Sequence, residues 1–321
     1  VSDLLPFDLA GILHDALRED RRPPDGLLHA SSDLIGSLRH AQLTVAGAPR
    51  IDSEIASDIR LRTGTMWHSY FNDVLCKKGL TFMQEVKVTP WLPEGWSGTA
   101  DWLFWDQKLR AFVLGDLKSI KGEGLKWVAE SAKEEHLWQL SAYYHALVRG
   151  GFPMIEGFAV LYLPMNDTTD RTEIIQPLVA ECAPLPFEQV WGVMEDRWAC
   201  TRVYLDEVAK ARAAAEAEPA FFTDPVVYLN EFLAPPMERV QKCTWIKKDT
   251  KWELRLVPHW STDYCPYPDE LCDCSTQGVT KIGEYAIVEG SQIEYTPRAG
   301  YAHIEPTARP DDREITKKIK G

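Results

Sequence analysis

The segment SGTADWLFWDQKLRAFVLGDLKS, residues 97–119, constrains the fold more than any other stretch of the chain. Its apolar alternation predicts two neighbouring strands around the turn DQKL, and each strand carries a carboxylate at one end, Asp101 on the first and Asp116 on the second. Lys118 follows two residues after Asp116 and therefore shares its side of the strand. An apolar run such as AFVLG belongs to a buried strand, and a carboxylate delivered at its end is costly unless a cation or hydrogen bonds compensate it. The chain must build a core sheet that ends in a charged site.

The flanking periods supply the layers around that sheet. DSEIASDIRLRTGTMWHSYFNDVL, residues 52–75, predicts a long helix with Ile55, Ile59, Met66 and Tyr70 on one flank; His68 lies off that flank, with Phe71 and Leu75 near it at helical spacing. TFMQEVKVTP alternates as a strand and stops at proline. After the glycine-bearing IKGEG come a helix from Glu130 to Val148, an apolar strand IEGFAVLYLP, a weaker strand RTEIIQPLV and a long amphipathic helix beginning at FEQVWGV. Upstream, residues 8–20 are helical in pattern and closed by RRPPDG, and SSDLIGSLRHAQL places serine and aspartate at a helix start. This order implies an α/β core with a mixed central sheet flanked by helices. Residues 1–29 read as an N-terminal helical appendage and 30–234 as the core. Residues 235–321 read as a cysteine- and tryptophan-rich C-terminal region ending in a basic, mobile tail.

A chain of 321 residues with 45% apolar content can bury a large core. Its formal charge of −13, from 35 basic and 48 acidic residues, argues against a surface that coats nucleic acid throughout and confines any such contact to a local groove. No apolar run reaches membrane-span length, and the start VSDLLPFDLAG lacks the pattern of a secretory signal, so a cytoplasmic protein without membrane contact is expected.

Mg²⁺ takes oxygen ligands, typically one or two carboxylates, waters and a substrate phosphate. Asp101, Asp116 and the backbone carbonyl of Leu117 could supply such oxygens, and Lys118 could hold an attacking water while a metal lowers its pKa. The competing reading is an ordinary ion pair, Asp116 with Lys118 or Asp101 with an arginine, on an edge strand. Placement at the end of an apolar run favours the site. Gln139 and Tyr143, four apart, share one face of the following helix. Glu85 is a further acid near the centre, for which an ion pair with Lys87 or solvent exposure is the competing reading. Lys118, Lys121, Lys126 and Lys133, with Trp127 and Trp138, offer cations and stacking surfaces for a single strand; ERVQKCTWIKK offers a second such patch.

Taken in order, GTMWH (His68), GTAD (Asp101), GDLK (Asp116, Lys118) and QLSAY (Gln139, Tyr143) resemble the RecB-like branch of the PD-(D/E)xK nucleases, closest to its CRISPR-associated and phage-encoded single-domain exonucleases. The resemblance covers residues 30 to 165 well and the C-terminal part loosely. It implies a restriction-endonuclease-like core and a Mg²⁺- or Mn²⁺-dependent deoxyribonuclease acting on single-stranded DNA or DNA ends, an exonuclease by preference, in phage recombination or repair. His68, Asp101, Asp116 and the Leu117 carbonyl would be metal ligands and Lys118 the catalytic lysine. Gln139, Tyr143 and Lys121 would hold DNA or the site's geometry. Recombination or CRISPR-adaptation proteins are the implied protein partners.

Many members of that branch carry an iron–sulfur cluster on one cysteine before the core and three after it. Here Ser37 and Thr262 stand at two of the matching places, so an intact four-cysteine cluster is not expected. Cys265, Cys272 and Cys274, with Cys243 or His259, could still bind Zn²⁺ or a cluster; alternatively they are reduced thiols packed among tryptophans. Two other functions stay open: a noncatalytic DNA-binding or assembly module on the same fold, and a metal-binding protein acting through the C-terminal cysteines.

Overall fold

The apolar period changes near residue 80, and the backbone changes with it. The computed structural model describes residues 16, 25–48, 55–78, 82–121, 125–128, 131–165, 177–217, 233, 242–248, 251–257, 267, 280–288 and 292–297. In chain order its first unit contains β1 (Leu28–His29), α1 (Leu38–Val45), α2 (Ile55–Lys77), β2 (Phe82–Lys87), β3 (Trp96–Ser97), β4 (Thr99–Asp106), β5 (Ala111–Lys121), α3 (Leu125–Val128), α4 (Glu134–Arg149), β6 (Met154–Met165), β7 (Leu178–Cys182) and α5 (Phe187–Ala217). The expected helix at residues 8–20 lies outside the described residues, Ala16 excepted.

β2, β4, β5, β6 and β7 form a five-stranded sheet in that order. The β5–β6 pair is parallel and the other three are antiparallel, so the sheet is mixed, as expected. The β4–β5 turn is held by Asp106, whose Oδ1 accepts from Lys108 N at 2.8 Å and Leu109 N at 2.9 Å. Alternation sends Leu103, Leu114, Val160 and Tyr162 to one face, where Leu140, Tyr143 and Leu147 of α4 and Val190 and Met194 of α5 cover them. Trp102, Leu117 and Leu163 go to the other, against Phe71 and Leu75 of α2.

That last contact sets the orientation of α2, which its two apolar flanks left open. Of the two apolar flanks, that of Ile59, Met66 and Tyr70 is 43%, 66% and 58% exposed, while Phe71 on the other packs on Trp102 at 6.4 Å between ring centroids. The helix has two apolar flanks, and its period cannot choose between them. Trp102 decides, because its Nε1 also donates to Asn72 Oδ1 at 2.6 Å from the flank that carries His68.

Boundaries shift for local reasons. α1 begins at Leu38, after the residues expected to start it, because Ser37 is the cap: its Oγ accepts from His40 N at 3.3 Å. Asp33 instead accepts from His29 N at 2.8 Å in the preceding turn. α4 starts at Glu134, with Glu135 beside it in the first turn and Arg149 in the last, charges that suit the helix dipole. The weak strand expected at residues 171–179 is found as Leu178–Cys182; residues 166–176 lie outside the described residues.

Residues Leu233–Gly321 form the second unit. It contains β8 (Lys242–Lys248), β9 (Lys251–Val257), β10 (Thr280–Val288) and β11 (Gln292–Pro297), an antiparallel sheet in the order β11-β10-β9-β8. The sequence reading missed this sheet, although KCTWIKKDTKWELRLV carries a hairpin signal, two β-prone runs around a two-residue turn. Cys265, Cys272, Cys274 and the C-terminal tail lie outside the described residues, as does the side chain of Cys243.

Candidate active site

The site begins where two strands part. β4 and β5 pair from Asp106↔Ala111 to Trp102↔Gly115. Beyond that point β4 stays bonded to β2 through Ala100 and Thr99, and β5 stays bonded to β6 as far as Lys121. The next residues in register are Asp101 and Asp116. The Leu117 N–H, left without a strand partner on that side, donates to Asp101 Oδ2 at 2.9 Å. Two glycines allow the close packing around this fork: a Cβ on Gly115 would lie 2.8 Å from the Phe104 ring, and one on Gly98 would lie 2.5 Å from Tyr143 Cε1.

Burial grades across the residues. The Asp116 side chain is 1% exposed, Asp101 20%, Lys118 21% and His68 34%, so the innermost carboxylate is covered and the others line its approach. Lys118 Nζ donates to Asp116 Oδ1 at 3.3 Å and stands 3.0 Å from Oδ2 without hydrogen-bond geometry. Asp116 Oδ2 is therefore a buried carboxylate oxygen compensated by the charge of the Lys118 ammonium rather than by an aligned hydrogen bond. His68 Nδ1 lies 3.3 Å from Asp101 Oδ2, with the Leu117 backbone nearby.

The electrostatics follow from this geometry. Burial first, then the Asp116 carboxylate within hydrogen-bond reach, raise Asp101 well above the usual carboxylate range; the Leu117 N–H and Lys118 pull the other way. Burial lowers His68, opposed chiefly by Asp116. Tyr143 is pushed up by burial and then by Asp116, against the Gln139 side chain and the Thr99 backbone, which act the other way, so its phenol stays protonated.

The structure thus brings His68, Asp101, Asp116, Leu117, Lys118, Gln139 and Tyr143 together. Gln139 and Tyr143 are 5% and 3% exposed, so they lie in the core behind the site, with Tyr143 near enough to feel the charge of Asp116. Glu85 sits in register opposite Asp101 on β2, exposed, with an unusual φ of 46°, and its charge acts on His68. Among the described ion pairs it has none with Lys87. Trp138, expected as a stacking surface, packs against the core instead. Lys133 is exposed, its Nζ 3.8 Å from Glu135. Lys121 ends β5, but its side chain, like those of Lys126 and Trp127, lies outside the described residues. Among the described residues no three His, Cys, Asp and Glu side chains converge as a metal-ligating group.

Two residues that the sequence reading did not single out adjoin Lys118. Tyr162 is its register partner on β6, and the Tyr162 hydroxyl accepts from Lys133 N at 3.0 Å and lies 2.9 Å from His136 Nδ1. The available signal was spacing, since His136 lies three residues before Gln139 on the same helix.

No family model matches the chain, and no curated protein matches it. Among solved structures, the crystal structure of LHK-Exo in complex with dAMP aligns with 60% of this chain and 95% of its own, at 15% identity and a TM-score of 0.40. A likeness that loose carries no argument about fold or chemistry.

Proposed function

We propose that the chain is a divalent-metal-dependent nuclease that hydrolyses phosphodiester bonds in DNA. One observation carries the reading: Asp101 and Asp116 are held side by side at the end of a buried strand pair, with Asp116 1% exposed and close enough to raise the pKa of Asp101. Two carboxylates forced together in a poorly hydrated place are unfavourable by themselves. A hard divalent cation relieves them, and Mg²⁺ or Mn²⁺ needs only one or two protein carboxylates when a phosphate and waters complete its shell.

The donor types suit such an ion, although His68, Asp101 and Asp116 as placed do not converge on one point and would have to close around it. Asp101 and Asp116 would hold it with the Leu117 carbonyl, His68 would join from α2, and the bound ion would polarise the phosphate and lower the pKa of a water. Lys118, on the same side of β5 as Asp116, orients the attacking water and meets charge developing on the phosphate. Preference for single-stranded or end-containing DNA, exonucleolytic action, and a role in phage recombination or repair beside recombination or CRISPR-adaptation partners all rest on the resemblance of the four motifs.

The Lys118–Asp116 contact also suits a noncatalytic module in which the charges hold structure. End-labelled single- and double-stranded DNA, linear and circular, incubated with Mg²⁺, Mn²⁺ or EDTA separates the two. The nuclease reading expects cation-dependent cleavage that Asp116→Ala and Lys118→Ala abolish, with circular DNA spared if the enzyme needs an end. Equal behaviour of wild type and variants would end it.

A further inference from the structure

His136, Gln139 and Tyr143 are spaced by three and four residues and so form one stripe along α4. Gln139 and Tyr143 serve the carboxylate end of the site. His136, one turn nearer the helix N-terminus, serves the lysine end, because its partner Tyr162 lies beside Lys118 in the β5–β6 register.

The hydrogen bonds favour one place for the imidazole proton. Tyr162 is fully buried, and burial pushes its phenol up to about 12, so it keeps its proton. Its oxygen already receives the Lys133 N–H, and the acceptor in reach of the phenolic hydrogen, among the described residues, is His136 Nδ1. The ring's own hydrogen is then on Nε2, which has no partner among the described residues. Burial, followed by the ammonium groups of Lys118 and Lys133, holds His136 down to about 3, so the ring is neutral across ordinary pH.

We propose that His136 contacts the substrate: its Nε2–H donates to a non-bridging oxygen of the scissile phosphate, on the side of the site where Lys118 stands. This rests on the nuclease reading. A neutral donor there adds a fixed dipole for charge that grows in the transition state, without introducing a further cation beside Lys118. Tyr162 is the positioning residue, since it fixes the tautomer that leaves the hydrogen on Nε2.

Two substitutions separate contact from bracing. In His136→Gln the amide nitrogen can reach the place of Nε2 while the bond to Tyr162 is lost; in His136→Asn an amide atom can occupy the place of Nδ1 while the outward donor is lost. Steady-state kcat and KM on end-labelled linear DNA with saturating Mn²⁺, with thermal melts, are measured for wild type, both variants, His136→Ala and Asp116→Ala. Loss of the donor is expected to lower kcat about 100-fold in His136→Ala and His136→Asn, with KM little changed, while His136→Gln stays within about fivefold of wild type. Activity kept by Asn and lost by Gln would assign the ring to bracing Tyr162 and overturn the proposal. Equal loss in all three variants, or less than about threefold loss in His136→Ala, would overturn it too. If wild type cleaves and Asp116→Ala does not, those failures concern His136 alone; if wild type cleaves nothing with any cation, the nuclease reading falls and this proposal with it.

Discussion

Asp101 Oδ2 accepts the Leu117 N–H at 2.9 Å, so the first carboxylate is anchored by the strand that carries the second. This bond spans the fork between β4 and β5 and sets Asp101 beside Asp116 before any ligand arrives. Asp101→Asn keeps an oxygen to accept that bond and removes a buried charge. We expect its melting temperature to equal or exceed that of wild type while DNA cleavage falls by about 100-fold or more. A melting temperature several degrees lower would show that the charge itself stabilises the fold.

A cation should matter more to stability at high pH than at low pH. The folded state raises the pKa of Asp101, so between the ordinary carboxylate value and the raised one the native protein binds more protons than the unfolded chain. In EDTA, stability contributed by protonated Asp101 is fully present below about pH 4 and lost as pH rises through the raised pKa. Saturating Mg²⁺ or Mn²⁺ should restore it by binding the native state. Melts with and without cation, at pH 5 and pH 8, are expected to differ more at pH 8; no shift at either pH would count against a cation site.

Two half-buried histidines act in the opposite direction. Burial first, then neighbouring cations, holds His40 down to about 4 and His136 down to about 3. Below the ordinary histidine value of about 6.5 the unfolded chain takes up protons that the native chain refuses. Their contribution is fully present above that pH and lost as it falls toward 4. Urea denaturation at pH 7, 6 and 5 should show the decline, and His136→Gln should make it shallower.

Gly98 leaves room for Tyr143. A methyl group there would lie 2.5 Å from Tyr143 Cε1, so Gly98→Ala must displace the Tyr143 ring. A loss of about 1–3 kcal/mol is expected from such overpacking, read by urea denaturation. Tyr143→Phe, which keeps the ring and loses the hydroxyl's bonds, should cost only about 1 kcal/mol.

The two flanks of α2 can be told apart by truncation. Phe71→Ala should cost about 2–3 kcal/mol, because it opens the contact with Trp102. Met66→Ser, on the exposed flank, should stay within about 0.5 kcal/mol. The reverse order would mean that the helix packs by its other side.

Much of this was legible without coordinates. Alternation in GTADWLFWD and RAFVLGDLKS is enough to pair two strands, and period two is enough to put Lys118 beside Asp116. Helical spacing likewise puts Gln139 and Tyr143 on one face. The flank of α2 was not legible, because Ile59, Met66 and Tyr70 are as apolar as Phe71 and Leu75; only the sheet's Trp102 and its bond to Asn72 break the tie. Ser37 as a helix cap and the β8–β9 hairpin had sequence signals that were outweighed by neighbouring serine, aspartate and cysteine residues.

The sequence by itself determined the order of layers, the mixed sheet and the residue types at the charged centre, since these follow from local periodicity. Only the tertiary structure decided which charges meet. Asp101 and Asp116 are 15 positions apart, and His136 and Tyr162 are 26 apart. Each pair meets because strand register and helix docking bring distant positions together, and those depend on packing across the whole core rather than on any one segment.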